Sequence, residues 1–243
     1  MNILLLNINI GKPWGWGGIE SHTETLALLL ARRGHKVIMG CWNDGTVTVA
    51  EGLVLPAVRI TMRNAGDILA IMRLMQVCRE ENIQVIIANC GREYWPAAIA
   101  ALVTGARVFL VRHQADKIRK TTRWLIENYV ERVIAVSRAV QDVLIKSGVS
   151  PQKIEVIHNS ISLKKFNPAL IDRNSIREEL GLKGDDILVG TVGKLHRGKG
   201  VYELLNALEM LAGEYPMLRL LYVGEGPEKP ELQALSRKMS LQE

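Results

Sequence analysis

The chain has 243 residues, 48% of them hydrophobic, and a formal net charge of +6. This composition supports packed cores and excludes a disordered chain, while apolar runs such as 97–103 are far shorter than the roughly 18 residues of a membrane-spanning helix. The charge is uneven: residues 1–168 carry 21 Lys and Arg against 13 Asp and Glu, a net of +8, and residues 169–243 carry 10 against 12, a net of −2.

In chain order, the apolar run 2–8 reads as a first strand. It has no basic stretch or small-residue cleavage site before it, so it does not read as a signal peptide. Residues 20–33 follow as a helix, with Thr23, Leu26 and Leu30 on one face and Gly34 as its stop. Strands are expected at 36–42, 84–90, 107–113, 132–137 and 154–158. Helices are expected at 67–81, 94–103, 121–130 and 139–146. Short apolar strands alternating with helices predict an α/β domain with a doubly wound parallel sheet. Residues 164–186 are polar, hold Pro168, and end with Gly181 and Gly184 around a short helix, which marks an interdomain connection. The alternation restarts with a strand at 187–192, a helix at 200–212, a strand at 218–223 and a helix at 230–239. Two strands and two helices bury little surface alone and leave a bare sheet edge. The expected organisation is therefore a first domain at 1–168 and an incomplete Rossmann-like second domain at 169–243. Cys41, Cys78 and Cys90 are odd in number and widely spaced. They form no disulfide framework or metal motif, read as small buried hydrophobes, and fit a reducing cytoplasm.

Three segments carry chemistry. The first, Gly11-Lys12-Pro13-Trp14-Gly15-Trp16-Gly17-Gly18-Ile19-Glu20, joins the first strand to the first helix. Glycines there let the backbone approach an anion, and the helix start supplies unpaired N–H donors. It is neither a dinucleotide fingerprint, because Glu20 stands where the third glycine belongs, nor a phosphate loop of the Gly-Lys-Ser/Thr kind. The second, Val192-Gly193-Lys194-Leu195-His196-Arg197-Gly198-Lys199-Gly200, sets three cations before a helix. Cations are unfavourable at that end of the helix dipole unless an anion such as a diphosphate binds between them. The third, Val111-Arg112-His113-Gln114, ends a strand, where ligands of doubly wound sheets gather. Downstream, Lys117, Arg119, Lys120 and Arg123 cluster with Trp124 as either a solvated helix face or one that meets phosphate or lipid.

The ordered motifs resemble those of retaining glycosyltransferase family 4. Gly17-Gly18-Ile19-Glu20 matches its early Gly-Gly-x-Glu loop. Val133-Ile134-Ala135-Val136-Ser137, then Val156-Ile157-His158-Asn159-Ser160-Ile161 and Phe166-Asn167-Pro168 match its central signature, with Ser160 in place of the common glycine. Gly193-Lys194-Leu195 with Lys199-Gly200 matches Gly-Arg-Leu…Lys-Gly, with Lys194 in the Arg place. Gly224-Glu225-Gly226-Pro227 matches the Gly-x-Gly-Pro turn. The family's Glu-x7-Glu motif does not occur before Glu243, so the second domain reads as truncated.

The resemblance implies a GT-B fold and transfer of a sugar from a nucleoside-diphosphate sugar to a cell-surface glycan, such as a lipopolysaccharide, or to a lipid-linked acceptor. It implies retention of anomeric configuration, with a phosphate oxygen of the leaving group as base. Lys194 and Lys199, with Arg197 in second rank, would hold the donor diphosphate. Gly17 and Gly18 would offer it backbone N–H groups, and His113 would stand beside the reacting centre as the catalytic residue. Glu20 would shape the loop or acceptor side, and Gly224, Glu225 and Gly226 would meet the nucleoside. No Asp-x-Asp motif occurs in the sequence, so neither metal nor cofactor is expected. The expected setting is the cytoplasm, with peripheral contact at the inner membrane face. The alternatives are a non-catalytic remnant, one half of a split transferase, and a dehydrogenase using Asp44 against a ribose, which the failed glycine fingerprint opposes. Nucleic-acid binding is not expected, since aromatics are 5% and no groove-reading motif is present.

Overall fold

The computed structural model describes residues 1–12, 17–163, 165–239 and 241. Residues 13–16 of the glycine-rich loop, Lys164 at the head of the connection, and Glu243 lie outside the described residues. The chain divides into two compact units, Met1–Ser162 and Leu163–Glu243.

The first unit runs β1 (Asn2–Leu6), α1 (Gly18–Arg32), β2 (Lys36–Cys41), β3 (Gly45–Thr48), β4 (Val54–Arg59), α2 (Ile68–Glu80), β5 (Val85–Ala88), α3 (Tyr94–Thr104), β6 (Arg107–Arg112), α4 (Lys120–Tyr129), β7 (Arg132–Ala135), α5 (Arg138–Lys146) and β8 (Ile154–Val156). Its sheet has the order β3-β4-β2-β1-β5-β6-β7-β8. Every neighbouring pair is parallel except β3 and β4, which are antiparallel. The expectation of a wholly parallel sheet is corrected at this edge. Pro56 disguises β4, because proline removes a ladder donor. It is tolerated because the pairing of β4 with β2 begins only at Ala57.

Central β1 has Leu4, Leu5 and Leu6 fully buried, as expected of a strand covered on both faces. Each such leucine contributes about 1.5–3 kcal/mol by burial. Ala27 of α1 packs on one face with Ile3 and Leu5. On the other face, α2, α3, α4 and α5 pack through Leu74, Ala97, Leu125 and Leu144 with Leu4 and Leu6. Helix α2 forms because Ala70, Leu74, Val77 and Cys78 recur at helical spacing. Its start is capped by Asp67, whose side chain accepts from the Ala70 N–H. The chain leaves β1 toward β2 through α1, and reaches β5 on the other side of β1 through α2. The C-terminal ends of β1 and β5 therefore flank a topological switch point, where open α/β sheets bind ligands.

The second unit holds α6 (Arg173–Glu179), β9 (Ile187–Val192), α7 (Val201–Ala212), β10 (Leu218–Val223) and α8 (Lys229–Lys238). Strands β9 and β10 are parallel, from Ile187 opposite Leu218 to Val192 opposite Val223. Leu195, Val201, Leu205 and Leu232 form its core. No described helix is long and apolar enough to cross a membrane.

Candidate functional site

At the switch point, a cavity of about 330 Å³ opens between the ends of β1, β5 and β6, lined among others by Asn9, Ile19, Asn89, Arg92, Arg112 and His113. Its floor is held by a buried carboxylate. Glu93 is wholly buried, and its Oε1 accepts from the Ile8 N–H at 2.8 Å while its Oε2 accepts from the Asn89 and Cys90 N–H groups at 2.8 and 2.9 Å. Burial pushes this carboxyl upward against the opposing pull of those donors. The β1 and β5 ends are thus tied together by one side chain. Nearby, Asn7 donates to Thr23 Oγ1 and Lys12 donates to Asn9 Oδ1.

His113 follows β6 and meets His22 of α1 edge to face, with ring centroids 5.1 Å apart. Burial, then the neighbouring His22 and the Arg112 charge, push His113 down to about 4, so its ring is neutral near pH 7. Burial also lowers His22. Arg112 fixes the loop that carries His113, donating to the Gln114 and Asp116 carbonyls and pairing with the Asp116 carboxylate. His113 Nε2, His22 Nδ1 and Asn89 Oδ1 are buried without a hydrogen-bond partner among the described residues. Orphaned polar atoms at one crevice are costly unless a ligand or water completes them.

Gly17 is the N-cap of α1 and offers no side-chain cap. The first N–H groups of the helix, beginning at Gly18, have no intrahelical acceptor. Glu20, in the first turn, folds back so that a Cβ added at Gly17 would stand 3.1 Å from its Oε2. The structure thus brings the described end of the glycine loop to the cavity that holds His113, through Ile19 and His22. Sequence reasoning passed over His22, Glu24 and Glu93. Glu24 lies one turn beyond Glu20 and is also buried. Burial and the Glu20 charge push it up to about 7. The signal available was the four-residue spacing of Glu20 and Glu24 on an otherwise packed helix face.

In the second unit, Lys194, Arg197 and Lys199 are exposed on the β9–α7 loop. None of the three forms an ion pair among the described residues. The loop makes a short turn at Arg197–Lys199, with His196 Nδ1 accepting from the Gly198 N–H. It enters α7 through Gly200, whose φ of 71° suits glycine and leaves α7 without a side-chain cap. Arg197 stacks 5.1 Å from the Tyr202 ring centroid. The hydroxyl of Tyr202 faces both Glu228 and Glu231. Beyond the strand pair this loop stays joined to the next one, because Gly193 N–H donates to Val223 O and Leu195 N–H to Glu225 O, each at 3.0 Å. Gly224 and Gly226 allow that approach. A Cβ on either would lie 1.9 Å from Gly193 O or 2.0 Å from Leu195 O. Glu225 is exposed and pairs with Lys229 at 2.6 Å. Gly224 and Glu225 also line an apolar cavity of about 430 Å³ beside Leu205 and Leu232.

Comparison with known proteins gives this geometry a context. Residues 16–165 match the family model described as Glycosyltransferase Family 4, and residues 172–243 match Glycosyl transferases group 1. The gpi3 subunit of phosphatidylinositol N-acetylglucosaminyltransferase from Schizosaccharomyces pombe is 23% identical over 93% of this chain and 52% of its own length. A Campylobacter jejuni 4-alpha-N-acetylgalactosaminyltransferase, named for a diphospho-undecaprenol-linked substrate, is 32% identical over 43% of this chain and 26% of its own. The chain spans about half the length of curated relatives that it matches almost throughout. Anabaena Alr3699/HepE, solved in complex with UDP and glucose, superposes with a TM-score of 0.76 at 23% identity, over 99% of this chain and 67% of that one. This likeness establishes a GT-B fold.

Proposed function

The chain belongs to glycosyltransferase family 4, and on that premise we propose that it transfers a sugar from a nucleoside-diphosphate sugar to a lipid-linked or cell-surface glycan acceptor, with retention and without a metal. The carrying observation is the loop of Lys194, Arg197 and Lys199, exposed and unpaired with carboxylates ahead of an uncapped helix. As the bond to the anomeric carbon breaks, the leaving diphosphate gains charge. Fixed cations and helix N–H dipoles stabilise that charge as it develops.

In this reading residues 169–243 bind the donor, with Lys194 and Lys199 on the diphosphate and Arg197 beside them. Gly224, Glu225 and Gly226 shape the nucleoside side. Residues 1–168 form the acceptor side. Gly17 and Gly18 add N–H donors, Glu20 orders their loop, and neutral His113 accepts or donates a hydrogen bond at the reacting sugar. The protein acts at the cytoplasmic membrane face, where lipid-linked acceptors are reached.

The test is titration of the whole chain with UDP and GDP, followed by a transfer assay with the matching labelled sugars. The reading expects nucleotide binding that Lys199→Ala weakens, and transfer that His113→Ala abolishes while nucleotide binding persists. Absence of binding to either nucleotide would sink it. Binding without transfer would instead favour one half of a split enzyme, and a polypeptide supplying further second-domain strands would then restore turnover.

A further inference from the structure

A second cavity, of about 340 Å³, opens on the other side of β1, at the ends of β2 and β4 and the start of α2. Its lining carries Lys12, Arg59, Arg63 and Arg73 around Trp42. The Arg59 guanidinium lies 4.8 Å and the Lys12 ammonium 5.6 Å from the Trp42 ring centroid, which holds two cations close together in spite of their repulsion. The one carboxylate in the lining, Asp67, is already engaged by the Arg63 and Ala70 N–H groups. Among the described residues none of the four cations has a carboxylate within ion-pair distance. Four cations at a helix start with so little counter-charge match a phosphate group.

The cavity continues into a groove along α2. Leu69 and Arg73 line both, and the groove adds Met72, Met75 and Arg79. Leu69 is 73% and Met72 60% exposed, so an apolar strip begins where the cationic cavity ends. A soluble anion would use the first part only. A phosphorylated lipid uses both, its head among the arginines and its chain along Leu69 and Met72. We propose that the cavity of Lys12, Arg59, Arg63, Arg73 and Trp42, with the adjoining Leu69–Met72 strip, binds the phosphate head and first chain segment of the lipid acceptor. This rests on the acceptor side of the function proposed above. It assigns the binding of that acceptor to α2 and not to the basic residues before and within α4.

The test is sedimentation of the full chain with vesicles, which needs no turnover and so fails or succeeds apart from the transfer reaction. The vesicles are phosphatidylcholine alone, phosphatidylcholine with a polyprenyl diphosphate, and phosphatidylcholine with phosphatidylglycerol at equal surface charge. Binding to the polyprenyl vesicles is expected to exceed binding to the phosphatidylglycerol vesicles by about tenfold or more, as loss of a charge-assisted contact would cost. Inorganic pyrophosphate should compete. Arg59→Ala with Arg73→Ala should erase the difference. Met72→Ser with Met75→Ser, which line the groove and not the cationic cavity, should weaken vesicle binding and leave pyrophosphate binding intact. Equal binding to both anionic vesicles overturns the proposal. So does binding that survives the arginine changes but is lost with Lys117→Ala, Arg119→Ala and Lys120→Ala. Vesicle binding unaffected by the Met72 and Met75 changes would reduce the cavity to a site for soluble anions, and overturns the lipid assignment.

Discussion

The switch-point crevice of the first unit and the cationic loop of the second use polar groups in opposite ways. In the crevice, Glu93, Asn89, Glu24 and His113 are buried or partly buried, and several are bound to backbone or left without a partner. On the loop, Lys194, Arg197 and Lys199 stand in solvent. The difference separates two kinds of cost. Removing a buried polar group leaves its partners unsatisfied and weakens the fold, whereas removing an exposed cation weakens only what binds to it. Substitutions in the first region should register in stability, and those in the second in affinity.

The largest expected effect is at Glu93. Glu93→Ala leaves three N–H groups, two of them in buried hydrogen bonds, without an acceptor and should destabilise the first unit by about 3–5 kcal/mol in urea denaturation. Glu93→Gln should do nearly as much harm, because its amide NH₂ must face at least one of those donors. A Gln variant with the parent midpoint would break the comparison on its buried side.

Next come the glycines between the second unit's loops. Gly226→Ala places a methyl 2.0 Å from Leu195 O and should cost about 1–3 kcal/mol by overpacking. The separation of the β9–α7 and β10–α8 loops should appear as shifted amide resonances at Leu195 and Glu225. Unchanged resonances would mean that the close approach is dispensable.

Lys199→Ala should lower nucleoside-diphosphate affinity by about tenfold, the worth of a charged hydrogen bond, with stability changed by no more than about 0.5 kcal/mol. A stability loss equal to the affinity loss would erase the distinction between the regions.

The smallest effect is a pH dependence hidden by cancellation. Glu24, raised to about 7, binds a proton more readily in the folded state, so its contribution is full below its ordinary value and is lost as pH rises through about 7. His113, lowered to about 4, does the reverse, contributing above its ordinary value and losing that as pH falls toward 4. Between about pH 5 and 7 the two oppose each other. Glu24→Gln should therefore become less stable than the parent on acidification through that window, and His113→Gln more stable, both read from melting temperature against pH. Parallel curves for the three proteins would remove both shifts from the account.

Legibility in the sequence followed periodicity. Strands β9 and β10 are expected and observed at the same residues, 187–192 and 218–223, since each is a run of apolar residues bounded by turn formers. Strands β3 and β4 escaped, because Val47 is the only buried residue of β3 and Pro56 reads as a breaker within β4. The site was legible as far as strand ends and glycine loops mark it. Its pairings were not. His22 and His113 meet although one lies on α1 and the other just past β6, 91 residues apart, a contact that no spacing announces, and Glu93 reads in sequence as one more surface acid before a helix. The glycines at 224 and 226 announce a close approach without saying to what, and here the approaching atoms are backbone oxygens of the same unit.

The rims of the two sheets carry a further consequence. The eight-stranded sheet ends in β3, four residues with two threonines, and in β8, three residues with a central glutamate. Short polar outer strands expose few free ladder groups to a neighbouring molecule. Strands β9 and β10 are six residues each, and among the described residues each pairs only with the other. Ile187, Val192 and Val223 stand exposed there. Against edge-to-edge pairing the rims of the eight-stranded sheet are therefore the better guarded, and β9 and β10 are the ladders that leave room for a further strand.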